Sequence, residues 1–215
     1  IFVEITFDNG QRLCINDGVN MRFVNGDDAN ATKNYQLKVE FTDGTALVLT
    51  VAMYGGIIMH DGTYDNEYYR KSRNAFSSFS PGFESYFRKL VAESKPTLSA
   101  KAFLATEQRF PGIGNGVLQD ILFAAQIHPK RKIGKLTDQE VENLLSAVVS
   151  VLREMTELGG RDTEKDLFGN ICGYKTKMSR NTLAAGCPVC GGEIKKEAYL
   201  GGSVYYCTTC QPMAD

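Results

Sequence analysis

No stretch of the chain approaches the roughly 18 consecutive apolar residues that a membrane-crossing helix needs. The opening residues carry no signal-peptide pattern either, so a cytoplasmic protein is expected. Charge of one sign is equally scarce: 24 Lys and Arg stand against 25 Asp and Glu, a net −1 at pH 7. A dedicated nucleic-acid binder is often basic overall. This balance gives such a partner no support and does not exclude it, because the footprint depends on local charge. There are only six prolines, no internal repeat and no low-complexity tract. What remains is an ordinary folded composition, 43% hydrophobic and 23% charged over 215 residues, enough for one good core and room for two domains of unequal size. An initiator methionine is also lacking. The chain starts at Ile1, inside a strand-like run, which points to processing or to an upstream segment absent from it.

Hydrophobic patterning divides the chain. "IFVEITF", the turn signal Asp8-Asn9-Gly10 and "QRLCIN" form a hairpin signature. After a polar stretch around Asn25 to Asn34, "YQLKVEF" alternates, turns at "TDG" and resumes as "TALVLTV", followed by Gly55-Gly56 and "IIMH". Residues 1–60 are thus expected to be antiparallel sheet with half-buried faces. Residues 61–82 are weakly periodic and read as a linker with an aromatic-rich docking segment. From Phe83 the period becomes helical, in "FESYFRKLVAE", "TLSAKAFLATEQ" and "GVLQDILFAAQ". Thr137 and Glu140 then make a capping box for a long helix. Its apolar stripe runs through Val141, Leu144, Leu145, Val148, Leu152 and Met155 and reads as core, with Gly159-Gly160 as the stop. Residues 161–186 read as a polar connector.

Four of the six cysteines fall near the end, in two pairs with two residues inside each: Cys187 and Cys190, then Cys207 and Cys210. Each pair can present two thiolates to one tetrahedral ion, so a structural Zn²⁺ is expected, with two disulfides as the alternative. Four thiolates leave no open position for a substrate, and so short a segment would draw most of its folding energy from the metal. The stretch between the pairs reads as a hairpin, with strands near "IKKEAYL" and "SVYY". Cys14 and Cys172 are expected to be free thiols, Cys14 as a small buried hydrophobe.

A second motif precedes this one. In "FPGIGNGVLQ", Gly112 and Gly114 flank Ile113, and Asn115 stands where a helix begins. Glycine permits a tight turn and close backbone approach, and a helix start offers unpaired N–H groups to an anion. Downstream, Lys130, Arg131, Lys132 and Lys135 place four positive charges in six residues. Alone that run reads as solvated surface; beside an anion-binding helix start, a phosphate partner is the better reading.

Together these features resemble the bacterial formamidopyrimidine-DNA glycosylase and endonuclease VIII family. "GIGNGVLQDILFAAQIHP" looks like its helix–two-turn–helix signature, and "CPVCGG…YLGGSVYYCTTCQ" like its C-terminal zinc finger. The resemblance is clear from about residue 98 to Gln211 and weak over the sheet region. It implies an α+β chain: a partial antiparallel β-sandwich (1–60), the linker (61–82), a helix–two-turn–helix domain (83–183) and a zinc ribbon finger (184–215). The implied function is DNA base-excision repair, as a bifunctional glycosylase and AP lyase removing oxidised bases through a Schiff base on an N-terminal proline. The implied partner is double-stranded DNA with a damaged base or abasic site, bound by a monomer associated with the bacterial nucleoid.

"IFVEITF" resembles the strand after the family's lysine, so the proline, its glutamate and that lysine would lie upstream of Ile1. No catalytic residue is assigned within the chain, which is expected to be inactive alone; Glu4 reads as a sheet residue. By the same resemblance Asn115 and Lys101 grip phosphate, Cys187, Cys190, Cys207 and Cys210 bind zinc, and His128 and Pro129 form a structural bend. Two departures stand out. Gly202 occupies the place of a phosphate-binding arginine five residues before the third cysteine. "VAMYGG" lacks the arginine that fills the gap left by a flipped base, leaving Met53 or Tyr54 as the wedge, or Val19 or Asn20 by a looser match. Lys175, Lys177 and Arg180 are candidates for replacement phosphate contacts or plain surface. The alternative functions are a non-catalytic damaged-DNA-binding protein of the same fold and a zinc-stapled protein-interaction domain.

Overall fold

The computed structural model describes residues 2–25, 34–52 and 54–213. They form two compact units: residues 1–70 with 163–172, and residues 71–162 with 173–215. Met53, one of the wedge candidates, lies outside the described residues.

In the first unit the hairpin signals become β1 (Phe2–Thr6) and β2 (Arg12–Asn16), and β6 (Ile57–His60) joins them in the sheet order β1-β2-β6. A second sheet has the order β3-β5-β4, from β3 (Val19–Asn25), β4 (Leu37–Glu40) and β5 (Thr45–Val51). All these pairings are antiparallel. Period-2 alternation assigns the faces. Leu13 and Ile15 of β2 meet Leu49 of β5 in one core, with Ile5, Met21, Leu37 and Ile57 packed around them, so the two sheets form a small sandwich. Cys14, between Leu13 and Ile15, points away from that core and is still fully buried. Residues 163–172 also belong to this unit. Asp166 Oδ1 accepts the N–H groups of Phe168 and Asn170 to make a tight turn, and Phe23 N donates to Leu167 O at 2.8 Å.

Helix α1 (Glu67–Asn74) lies within the stretch read as linker; α2 (Phe83–Glu93), α3 (Ala100–Ala105), α4 (Val117–Ala124) and α5 (Asp138–Glu157) follow. The core of the second unit is aromatic at one end. Phe87, Phe103 and Phe110 stack at 5.2 to 5.5 Å between ring centroids. Leu118, Ile121 and Leu122 of α4 meet Leu144, Val148 and Val151 of α5 in the same cluster. Each such side chain stabilises by about 1.5–3 kcal/mol, which is why α5 holds although it is half exposed. Thr137 Oγ1 accepts from Glu140 N at 3.2 Å while Glu140 Oε2 accepts from Thr137 N at 2.7 Å, completing the capping box. Gly159 and Gly160 take positive φ and end the helix. The C-terminal finger is the hairpin β7 (Ile194–Tyr199) and β8 (Gly202–Cys207). Among the described residues, no helix is long and apolar enough to cross a membrane.

Candidate nucleic-acid interface

Helix α4 positions the site. Gly112 adopts φ +97°, a conformation suited to glycine, and turns the chain into the first turn of α4, where Val117 N and Leu118 N both donate to Gly114 O. Asn115 is left exposed at the helix start. Four residues on, Gln119 is 2% exposed, and it explains how the finger is held. Its Nε2 donates to Ser203 O at 3.0 Å and to Asn115 O at 2.9 Å, and its Oε1 accepts from Tyr205 N at 3.1 Å. Strand β8 is therefore clipped to α4 by one buried amide.

Lys101 approaches the same hairpin from α3. It is 4% exposed, its Nζ donates to Tyr199 O, and it sits 5.8 Å from the Tyr199 ring centre. Burial lowers its pKa. Asn115 Nδ2 donates to Ser203 O at 3.1 Å. Between them is a cavity of about 190 Å³ lined by Lys101, Thr106, Asn115, Leu200, Gly201 and Gly202. A cation, an amide and the backbone of a glycine turn thus face one small space, the donor set that suits a phosphate oxygen. Gly202 is constrained there: a Cβ would lie 3.2 Å from the Asn115 carboxamide. A side chain at 202 therefore has to displace the amide beside it.

The basic break is used unevenly. Lys130 Nζ pairs with Glu197 and lies 5.4 Å from the Tyr199 ring centre. Lys132 is exposed. Arg131 is 7% exposed, with its guanidinium donating to Lys135 O at 2.8 Å and 3.5 Å from Glu140. Its charge serves the interior, and we drop it from the phosphate contacts expected from the sequence. The bend supports α3: Ala100 N donates to Arg131 O and Lys101 N to Pro129 O. His128 is buried 4.3 Å from the Tyr206 ring, its Nδ1 accepting from Lys130 N, and burial with the Lys130 charge holds its pKa below the usual value. Lys175 is exposed and lies 3.9 Å from Asp162; Lys177 lies 3.8 Å from Glu154.

The four finger cysteines bring their sulfurs within 4.8 Å of one another, Cys187 to Cys210 at 3.7 Å and Cys190 to Cys207 at 3.4 Å. Metal–sulfur bonds of about 2.3 Å in a tetrahedron set sulfurs about 3.8 Å apart, so the donor set fits one ion. The Gly192 and Cys210 N–H groups each donate to a cysteine sulfur at 3.4 Å. The Gly192 N–H and the neighbouring thiols bring Cys190 down to about 7, whereas burial pushes Cys210 up to about 12. A divalent cation held by all four as thiolates would resolve this opposition. Gln211, fully buried, accepts from Cys207 N and donates to Ile127 O, tying the second knuckle to the segment that follows α4.

In the first unit, Tyr54 is 89% exposed at φ +66° in the turn between β5 and β6, and Asn20 is exposed on β3 opposite Thr50. Sequence reasoning missed Gln119, Asp120 and Gln211. Asp120 is 1% exposed and accepts from Lys177 N at 3.0 Å and Met178 N at 2.7 Å, anchoring the connector before the finger. Burial raises its pKa against those two hydrogen bonds. A Gln-Asp pair inside an otherwise apolar helix was the available signal.

The sequence model of the formamidopyrimidine-DNA glycosylase H2TH domain matches residues 78–166. The chain is 30% identical over 163 residues to the formamidopyrimidine-DNA glycosylase of Mycoplasmopsis pulmonis, covering 71% of this chain and 56% of that one. It is 31% identical over 136 residues to the Thermus thermophilus protein of the same name, 60% of this chain and 49% of that one. The chain therefore spans about half the length of these curated relatives. A solved complex of Lactococcus lactis Fpg with abasic-site DNA superposes with a TM-score of 0.81 at 19% identity, over 99% of this chain and 79% of that one.

Proposed function

We propose, since the chain belongs to the formamidopyrimidine-DNA glycosylase family, that the protein carrying it excises damaged bases from duplex DNA and cuts the strand at the resulting abasic site. These 215 residues would supply the grip. The observation that carries this reading is the convergence of Lys101, Asn115 and the Gly201-Gly202 turn on one small cavity, with the finger clipped to α4 beside it. Lys101 and Asn115 would hold one backbone phosphate, and Lys132 with Lys130 would extend the contact along the strand. Tyr54 would serve as the wedge that enters the stack when a base is turned out, with Asn20 the weaker candidate; unstacking costs a few kcal/mol, least at a lesion. Cys187, Cys190, Cys207 and Cys210 would hold one structural Zn²⁺. The setting would be the bacterial cytoplasm, where the DNA is.

The chemistry expected of the whole protein is attack of an amine on C1′ of the sugar, giving a Schiff base that borohydride reduces to a stable link. Borohydride trapping of the full-length protein on a duplex with one abasic site is the test. A covalent adduct supports the reading. Binding without an adduct would leave a clamp that recognises damaged duplex without cutting it. For the grip, Asn115→Ala is expected to weaken binding about tenfold on every sequence alike, and Lys101→Ala to reduce the salt slope by about one. Unchanged affinity and slope in both variants would remove the cradle from the interface.

A further inference from the structure

We propose that the cavity beside α3 and the finger hairpin is a covalent site for a small phosphorylated aldehyde, with Lys101 Nζ as the nucleophile. Among the described residues no other lysine is buried. Lys38, Lys89, Lys130, Lys175 and Lys177 each have a carboxylate within 4.0 Å. Among the described residues Lys101 has none. Its Nζ donates to Tyr199 O and sits 5.8 Å from the Tyr199 ring centre. A second cation, Lys130, lies 5.4 Å from the same ring, and it is Lys130 that pairs with Glu197.

A buried ammonium without a counter-charge is costly, and the group relieves that cost by losing its proton. Burial lowers the Lys101 pKa accordingly. A neutral amine can still donate one N–H to Tyr199 O, and it keeps a lone pair that an ammonium lacks. Desolvation and a neighbouring cation are the two usual means of making a lysine amine nucleophilic towards a carbonyl.

The cavity decides what such an amine meets. Its volume of about 190 Å³ has room for a three-carbon phosphate ester and little more. Thr106, the other nucleophile in the lining, is committed: its hydroxyl donates to Ala102 O at 2.7 Å and accepts from Arg109 Nη1 at 3.0 Å. Asn115 Nδ2 gives one N–H to Ser203 O at 3.1 Å, leaving the second for a phosphate oxygen. Addition of the Nζ lone pair to the aldehyde carbon forms a C–N bond, and the carbonyl oxygen takes up a proton. The carbinolamine then loses water to give a protonated imine, with nothing oxidised or reduced. That imine is a cation in the same buried place, and the ligand's own phosphate supplies the counter-charge that the protein lacks there. A phosphorylated aldehyde is therefore favoured over a neutral one. A free sugar phosphate and the aldehyde end of a cut DNA strand share this chemistry.

The test is site-resolved reductive alkylation of the native full-length protein at neutral pH. Glyceraldehyde 3-phosphate and cyanoborohydride are added, and each lysine is followed by peptide mass mapping, with exposed Lys132, Lys195 and Lys196 as internal references. Lys101 is expected to be labelled about tenfold faster than the references, as a tenfold larger share of neutral amine gives. Its labelling should saturate with aldehyde, slow with inorganic phosphate and lose its selectivity in urea. Unphosphorylated glyceraldehyde should label it more slowly, and Asn115→Asp, which sets a charge against the phosphate, should erase that preference. Each rate is a ratio within one protein, so a less stable variant is read on the same scale. A parallel arm offers a duplex with a 3′-phosphoglycolaldehyde end. Fast labelling by the duplex alone assigns the site to DNA ends, by the free ester alone to sugar phosphates, and by both to their shared group. Lys101 labelled no faster than Lys132 by either aldehyde overturns the site, as does a phosphate preference unaltered in Asn115→Asp. Slow labelling leaves the proposed function standing, because a lysine that stays an ammonium still grips phosphate.

Discussion

Glu4, Cys14 and His60 place a carboxylate, a thiol and an imidazole within 4.8 Å of one another, the same span as the four finger cysteines. The two clusters differ in where their protons go. Gly62 N donates to His60 Nδ1 at 3.0 Å, so Nδ1 is the acceptor and the ring proton sits on Nε2, the nitrogen 3.3 Å from Cys14 Sγ. A metal at that point would need the lone pair on Nε2. Cys14 in turn donates to Glu4 Oε2 at 3.6 Å, and the Tyr69 hydroxyl donates to the same oxygen. The cluster is a finished hydrogen-bond chain that pins β1, β2, β6 and α1 together. The finger cysteines face one another and backbone N–H donors, with no carboxylate or imidazole in their cluster. Metal analysis is accordingly expected to show Cys190→Ser lowering the zinc content by one per chain and Cys14→Ser leaving it unchanged. Zinc lost on Cys14→Ser would contradict the tautomer argument.

At the scale of elements, α4 and the turn that opens it have three polar positions with separate tasks: Asn115, before the helix, faces the cavity, Gln119 holds β8, and Asp120 holds the connector. Gln119→Ala would leave the half-buried Tyr205 N–H without its acceptor and Ser203 O with one donor fewer. A cost of about 2–3 kcal/mol is expected, read as a lower denaturation midpoint in zinc-saturated protein. A loss under about 0.5 kcal/mol would show that the hairpin stays on α4 by packing alone. The polar pair in the helix was visible in the sequence but its partner was not, because Gln119 and Tyr205 are 86 residues apart and no local pattern links them. Local rules served better where they were sufficient. The Thr137 capping box, the apolar stripe and the paired glycines specify α5 from sequence, and the Asp8-Asn9-Gly10 turn specifies β1 and β2. Strand β3 escaped. Its Val19, Met21 and Phe23 do alternate with Asn20 and Arg22, yet none of its residues is fully buried, and the polar run after Asn25 hides its end. Helix α1 escaped for a related reason: Tyr69 is its only buried residue, so an anchor takes the place of a stripe. The inward turn of Arg131 was hidden because a charge run reveals nothing about which of its members turns inward.

For the whole molecule, the two units differ in what sustains them. The sandwich buries few large side chains, chiefly Leu13, Ile15 and Leu49, and adds the Cys14 hydrogen-bond chain. The second unit has the extended aromatic and aliphatic core, and its finger has a small cluster of its own in which Phe123 and Met178 meet Ile194, Cys187 and Cys207. Two of those five are proposed metal ligands, so the ion and the finger's packing stand or fall together. Ligand binding to the folded state alone stabilises it by mass action, and this stabilisation belongs to the unit that holds the ion. Chelation is therefore expected to raise hydrogen exchange across β7, β8 and the N–H groups of Lys177 and Met178, and to lower the unfolding midpoint of the second unit. Exchange in β2 and β5 should stay as it was. The loosening should also reach DNA binding, because Tyr199 O and Ser203 O, which orient Lys101 and Asn115, belong to the finger hairpin. Chelated protein that keeps full protection in β7 and β8 would mean that α4 and the finger's own packing hold the hairpin without a metal.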